Sequence, residues 1–314
     1  MLSSASFEVP AYLLRKVEHL TRCQMAIAGA DNEIVLRSVR QATEGGIITP
    51  ILIGNADAIQ SLSNDIGWNI AGIEIVNLIG EEAISNAAVS LAASTAVKGI
   101  MKGHVHTDTL MRFVVNQDTG LRIDRRISHV FHMTIPGCDK VLLITDGAVN
   151  VAPSVDTRMD IIRNAIDVSH ALGNPEPKVA ILSGTEVANS SMPSSIESAE
   201  IIKRAHNGEI KGCLIDGPFA FDLAVSPEAA KIKGIDSPVA GNADIIVVPN
   251  IEMGNGLFKM MVYFMSGLAS GIVMGAKVPI VLTSRADPPE ARFASTLIAS
   301  IIAHSNSVKP NDGR

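Results

Sequence analysis

Short, strongly apolar runs recur from one end of the chain to the other, and most are followed by a stretch with helical spacing. The runs lie at 25–30, 51–54, 73–76, 141–144, 179–182, 212–216, 243–248 and 278–282. Between them, apolar positions repeat on one helical face over 33–45, 56–62, 81–101, 157–172, 195–206 and 289–303. Short continuous apolar runs suit strands buried on both faces, and their alternation with helices predicts parallel-rich sheets flanked by helices. The expectation is therefore an α/β fold rather than a helical bundle or a sandwich. Composition agrees, since 47% of the 314 residues are hydrophobic but only 4% aromatic. Cores of Ile, Val, Leu, Ala and Met follow, as buried parallel strands require. That length is comfortable for two domains. Ile135-Pro136-Gly137-Cys138-Asp139, a turn between two apolar runs, is the expected boundary.

Charge narrows the function classes. A formal net charge of -6 argues against a nucleic-acid binder, which needs a basic face. Any phosphate chemistry must therefore use a few local cations. No apolar run reaches the roughly 18 residues that span a bilayer, so no membrane association is expected. The first fifteen residues lack a basic segment followed by an apolar one, so no secretion signal is expected. Cys23, Cys138 and Cys213 are isolated from one another and fit free thiols in a reducing cytoplasm.

Open parallel sheets bind ligands beyond the carboxyl ends of their strands. Polar or glycine-rich endings stand there at Lys102-Gly103-His104, Thr145-Asp146-Gly147, Ser183-Gly184-Thr185, Asp216-Gly217-Pro218, Pro249-Asn250 and Thr283-Ser284-Arg285. The last is the strongest candidate. A hydroxyl and a guanidinium at a strand-to-helix turn suit a phosphate, because arginine offers a planar fork of donors and a helix start adds backbone N–H groups. A pairing of Arg285 with Asp287 or Glu290 at the surface is the competing reading. A second candidate is the 250–259 segment, where Asn250, Gly254 and Asn255 read as a turn exposing backbone amides and Lys259 supplies a charge. Arg112 adds a basic group. His104, His106 and Asp108 lack a further cluster to complete a metal shell, so no metal site is expected. Neither GxxxxGK[ST] nor GxGxxG is present.

Taken in order, Lys102–Arg112, Thr145–Asn150, Asp216–Asp222, Ser237–Asp244, Pro249–Gly256 and Thr283-Ser284-Arg285 resemble the phosphate acetyltransferase and phosphate butyryltransferase family, over roughly residues 95 to 300. The Thr-Ser-Arg-Ala-Asp form and the chain length lean toward the butyryltransferase-like branch. The resemblance implies two domains similar to isopropylmalate dehydrogenase, with the active site in the cleft between them. It returns the last helix to the first domain, giving 1–137 with 285–314 and, as the second domain, 138–284. It also implies a homodimer and reversible acyl transfer between coenzyme A and phosphate, through an acyl phosphate. Coenzyme A is then a substrate, and no tightly bound cofactor is expected.

Ser284 and Arg285 fall on family active-site positions, with Arg285 expected to hold phosphate. Acetyl-specific members carry an aspartate six residues after that arginine, where this chain has Ala291. Asp287 or Glu290 is then the expected base for the coenzyme A thiol, with Ser284 stabilising the oxyanion. Arg112, Asn250, Gly254, Asn255 and Lys259 are expected to bind substrate. Two other readings stay open: a metal- and NAD(P)-dependent hydroxy-acid dehydrogenase on a similar fold, and a non-catalytic protein that binds acyl-coenzyme A or acyl phosphate.

Overall fold

The computed structural model describes residues 5–283 and 287–308. The chain separates into two compact units: a terminal unit formed by Glu8–Arg125 with Ser270–Arg314, and a central unit formed by Arg126–Ala269 with Met1–Phe7.

The terminal unit begins with α1 (Ala11–Val17), β1 (Cys23–Ala28), α2 (Glu33–Glu44), β2 (Ile48–Gly54), α3 (Ala56–Asp65) and β3 (Glu74–Asn77). It continues with α4 (Glu81–Ala93), β4 (Gly99–Lys102) and α5 (Thr107–Val114). On α2, Val35, Leu36, Val39 and Ala42 are buried, which is the face the apolar spacing marked out. Asn32 caps that helix, its side chain accepting from the N–H groups of Ile34 and Val35 at 3.1 and 3.3 Å.

The 81–101 stretch does not continue as one helix. Thr95 takes the left-handed conformation at φ 64°, and the amides of Thr95 and Ala96 fold back onto the carbonyls of Ala92 and Leu91. That closure ends α4 and frees the next residues to form β4. An alanine-rich run reads the same in a buried helix as in the approach to a buried strand, so periodicity alone missed the break.

The central unit contributes β5 (Ser128–Ile135), β6 (Cys138–Thr145), α6 (Val155–Ala171), β7 (Lys178–Leu182) and α7 (Pro193–Arg204). After them come β8 (Leu214–Phe219), α8 (Phe221–Val225), α9 (Pro227–Ile232), β9 (Ile245–Val247) and α10 (Ile251–Met265). Its strands run in the order β5-β6-β9-β7-β8, parallel except for the β5–β6 hairpin, which the 136–137 turn closes. β5 carried little strand signal because His129 and His132 interrupt it, yet both are buried. Burial pushes the His132 imidazole down to about 4, so it is neutral near pH 7.

β10 (Leu268–Met274), β11 (Ile280–Val281) and α11 (Pro289–Val308) complete the chain. In the terminal unit the order is β3-β2-β1-β4-β11-β10, with only β10 antiparallel to its neighbour. The direction of winding reverses between β1 and β4, and such a switch point opens a crevice at the strand ends. Residues 291–303 of α11 are buried throughout, so this helix is core on every side rather than a surface helix. No described helix is long and apolar enough to cross a membrane.

Candidate functional site

In the terminal unit the carboxyl ends of β1, β4 and β11 lie side by side. Ala28 is in register with Lys102, and Met101 with Val281. Just beyond, the Gly103 amide donates to Ala28 O and the His104 amide to Gly29 O, both at 2.8 Å. Two glycines allow that approach. A Cβ on Gly103 would stand 2.3 Å from Gly29 O, and one on Gly29, at φ +82°, would stand 2.8 Å from His104 N. Lys102 is buried at this point, its Nζ 3.2 Å from Val105 O and 3.4 Å from Gly103 O. A lysine ammonium thus sits at the end of a central strand.

His104 and His106 are not strand residues. Both follow β4, and His106 is the N-cap residue of α5. The Glu81 carboxylate lies 2.8 Å from His106 Nδ1 and accepts from its amide at 3.0 Å, which holds Glu81 below the usual carboxylate range. Arg112, on the last turn of α5, is ion-paired to Glu82 at 2.7 Å and exposed. A ligand that uses Arg112 shares its guanidinium with Glu82. Among the described residues no group of three or more His, Cys, Asp or Glu is placed to hold a metal ion.

Ser284 and Arg285 lie outside the described residues. Thr283 is buried, and its Oγ1 accepts from Arg292 Nε at 3.0 Å. Asp287 and Glu290 are half-buried, Glu290 in the first turn of α11. Ala291, on the position where an aspartate stands in acetyl-specific relatives, is core, at 1% exposure. A carboxylate there would have to enter an apolar interior.

The central unit gathers the second set. The Asp146 carboxylate is buried and accepts from the amides of Ala148, Val149 and Asn150 at 2.9, 3.0 and 3.2 Å, and from Asn150 Nδ2 at 2.7 Å. This wraps residues 146–150 into a fixed loop at the end of β6. The 250–259 segment is not a turn but the start of α10. Asn250 caps it, accepting from Met253 N at 3.0 Å, and Met253, Leu257, Phe258, Met261 and Val262 supply the apolar side. Gly254 is required by contact: a Cβ there would lie 2.7 Å from Asp146 O and 2.8 Å from Gly147 Cα. Asn255 Nδ2 reaches Gly147 O at 3.4 Å. The structure therefore brings Gly254 and Asn255 against the 146–147 loop, while Asn250 caps the same end of α10. Lys259, one helical turn beyond Asn255, is exposed.

Three residues of these clusters were not singled out as site residues from sequence. Asp146 had a signal, as a carboxylate directly after a clean strand, followed four residues later by Asn150. Lys102 also closes an apolar run. Arg292 had none, because nothing in its helical context marks it from a surface arginine.

Comparison with known proteins follows the same line. The sequence pattern of the family described as Phosphate acetyl/butaryl transferase matches residues 12–108 and 81–300. A phosphate acetyltransferase of Rhizobium meliloti is 44% identical over 88% of this chain and 88% of its own length. A phosphate butyryltransferase of Clostridium acetobutylicum is 40% identical, covering 93% of this chain and 97% of the relative. Among solved structures, a branched-chain phosphotransacylase from Enterococcus faecalis V583 superposes with a TM-score of 0.77 at 32% identity, over 90% of this chain and 99% of that one.

Proposed function

The chain belongs to the phosphate acetyl/butyryl transferase family, and on that premise we propose that its terminal unit holds the phosphate end of the acyl-transfer reaction. The protein is an acyltransferase: it moves an acyl group reversibly between coenzyme A and inorganic phosphate, exchanging acyl-coenzyme A and phosphate for acyl phosphate and coenzyme A. The observation that carries the assignment is the close junction of the β1, β4 and β11 ends, because the Thr283-Ser284-Arg285 motif follows β11 directly in the sequence.

Written toward coenzyme A acylation, a carboxylate takes the thiol proton and the thiolate attacks the acyl phosphate carbonyl. The C–O bond to phosphate breaks and inorganic phosphate leaves. Ser284 donates to the oxyanion, an interaction worth about 3 kcal/mol for a well-placed donor. Arg285 holds the departing phosphate through its planar fork. Asp287 and Glu290 are the two carboxylates at hand. Asp287 acts electrostatically on the buried Arg292 guanidinium and so already serves a partner within the protein. Glu290 is therefore assigned the proton transfer. Because the attacking sulfur belongs to coenzyme A, no covalent enzyme intermediate and no tightly bound cofactor are needed.

Asn250, Gly254 and Asn255 fix the first turn of α10, whose N-terminus and the exposed Lys259 offer donors to phosphate groups of coenzyme A. Arg112 offers substrate the donors that Glu82 leaves unused. The acyl chain is short, within the acetyl, butyryl and branched-chain groups that the relatives' names cover. The enzyme works in the cytoplasm, where its three unpaired cysteines stay reduced. It is a homodimer, supported by the apolar face that α10 exposes through Met260, Tyr263 and Phe264. Thiol release from a series of acyl-coenzyme A substrates with phosphate tests the assignment. Release that does not depend on phosphate would sink it.

A further inference from the structure

At the end of its sheet opposite the strand-end crevice, the terminal unit holds a pocket of about 260 Å³. It lies at the amino ends of β4 and β11, between the end of α4 and the later turns of α11. β4 and β11 run parallel with Ile100 beside Ile280, and the Ile100 amide donates to Pro279 O at 3.2 Å. Segments 97–98 and 277–279 therefore enter the sheet side by side, while Lys102 and Thr283 stand at the other ends of the same strands. β4 has four residues, so roughly 13 Å of strand separates the pocket from the crevice.

Small side chains leave the space. Ala92 on α4 and Ala303 on α11 are buried together with Val97 and Val278, and these four make an apolar floor. Elsewhere α11 fills the interior with Leu297, Ile298 and Ile302. The left-handed turn at Thr95 ends α4 at the edge of the pocket and leaves Ala93 and Thr95 exposed on its rim. Lys98 and Lys277 also line it, and both are exposed. Their stems form wall while their ammonium groups stay at the wet mouth. No Asp or Glu is among the described residues that line the pocket. An apolar floor below two cations is complementary to a hydrocarbon body that ends in an anion. The volume lies just under the roughly 300–1,000 Å³ of sites for drug-sized ligands, which admits a small organic acid and excludes a whole coenzyme A.

We propose that this pocket is a second ligand site, separate from the acyl-transfer site, which binds a small carboxylate with a short hydrocarbon chain. The chain lies on the floor of Ala92, Val97, Val278 and Ala303, and the carboxylate sits at the mouth with Lys98 and Lys277. The occupant takes no part in acyl transfer, because it is held at the wrong end of the strands.

Hexanoate is the probe, and hexanol is its uncharged counterpart. Each is titrated into the intact chain carrying labelled valine methyl groups and followed by NMR, with Val97→Ile and Val278→Ile identifying the two resonances. The expected result is saturable shifts of the Val97 and Val278 methyl signals with hexanoate, and clearly weaker binding of hexanol. Lys277→Met should weaken hexanoate binding about fivefold, as loss of one exposed ion pair implies. Thiol release from acyl-coenzyme A with phosphate should stay unchanged in that variant. Ala93→Trp, at the exposed rim, fills the mouth and should abolish the shifts. Lys277→Met carries the variant test alone if the tryptophan variant does not fold. Absent or non-saturating shifts at Val97 and Val278 overturn the site, as do shifts confined to methyl groups at the carboxyl ends of the strands. Equal affinity for hexanoate and hexanol overturns the carboxylate assignment, and so does hexanoate binding that Lys277→Met leaves untouched.

Discussion

Glu290 and Asp287 stand three residues apart on either side of the start of α11. Asp287 shares the field of a buried guanidinium, while Glu290 sits in the first turn of α11. Removing a general base typically costs two to four powers of ten in rate, whereas neutralising a structural carboxylate acts through the geometry it supports. Glu290→Gln should therefore lower kcat about a hundredfold or more while leaving KM for phosphate nearly unchanged. Asp287→Asn should lower kcat much less and raise KM for phosphate. Steady-state kinetics on the two variants separates the assignments, and the reverse pattern would hand the proton to Asp287. At this scale the sequence was only partly legible. The two carboxylates could be named from their distance to Arg285, but which of them faces a cation depends on Arg292, seven residues further on and buried. Asp146 shows the same limit, since its four hydrogen bonds become visible only when the loop is folded around it.

Elements were read best where one residue pattern allowed one answer. β1, α2, β6, α6 and β7 follow directly from apolar runs and helical spacing, and all are buried where expected except that Val141 and Leu142 of β6 are only half-buried. Readings failed where composition was ambiguous. The alanine-rich 81–101 stretch hid a helix stop and a strand start. The glycines at 254 and 256 suggested a turn inside what is the fifteen-residue helix α10. Glycine costs a helix about 1 kcal/mol relative to alanine, but here tertiary contact overrides propensity. The helix packs so closely on the 146–147 loop that position 254 has no room for a methyl group. Gly254→Ala should accordingly destabilise the protein despite its better helix propensity, by about 1–3 kcal/mol as overpacked sites do. Denaturant unfolding of that variant checks the sign. A stabilised Gly254→Ala would mean that α10 does not sit on the loop in this way.

At the scale of the whole molecule, the α/β class and the family were legible because short strand-end motifs keep their order over two thirds of the chain. Assembly was not legible, since it depends on which apolar residues folding leaves outside. Phe264 is 61% exposed and Tyr263 46%. Light scattering should give twice the 33.1 kDa chain mass, and Phe264→Glu should shift it toward one chain. A monomeric unaltered protein would contradict the homodimer. The central claim is that the Thr283-Ser284-Arg285 turn holds the phosphate that accepts or donates the acyl group. Free-thiol release from acyl-coenzyme A, followed against phosphate concentration in the unaltered enzyme and in Arg285→Ala, tests it most directly. The account predicts phosphate-dependent release by the unaltered enzyme and a phosphate requirement raised about a hundredfold in the variant, as losing a charge-assisted fork implies. Release by Arg285→Ala with the same phosphate dependence would contradict it.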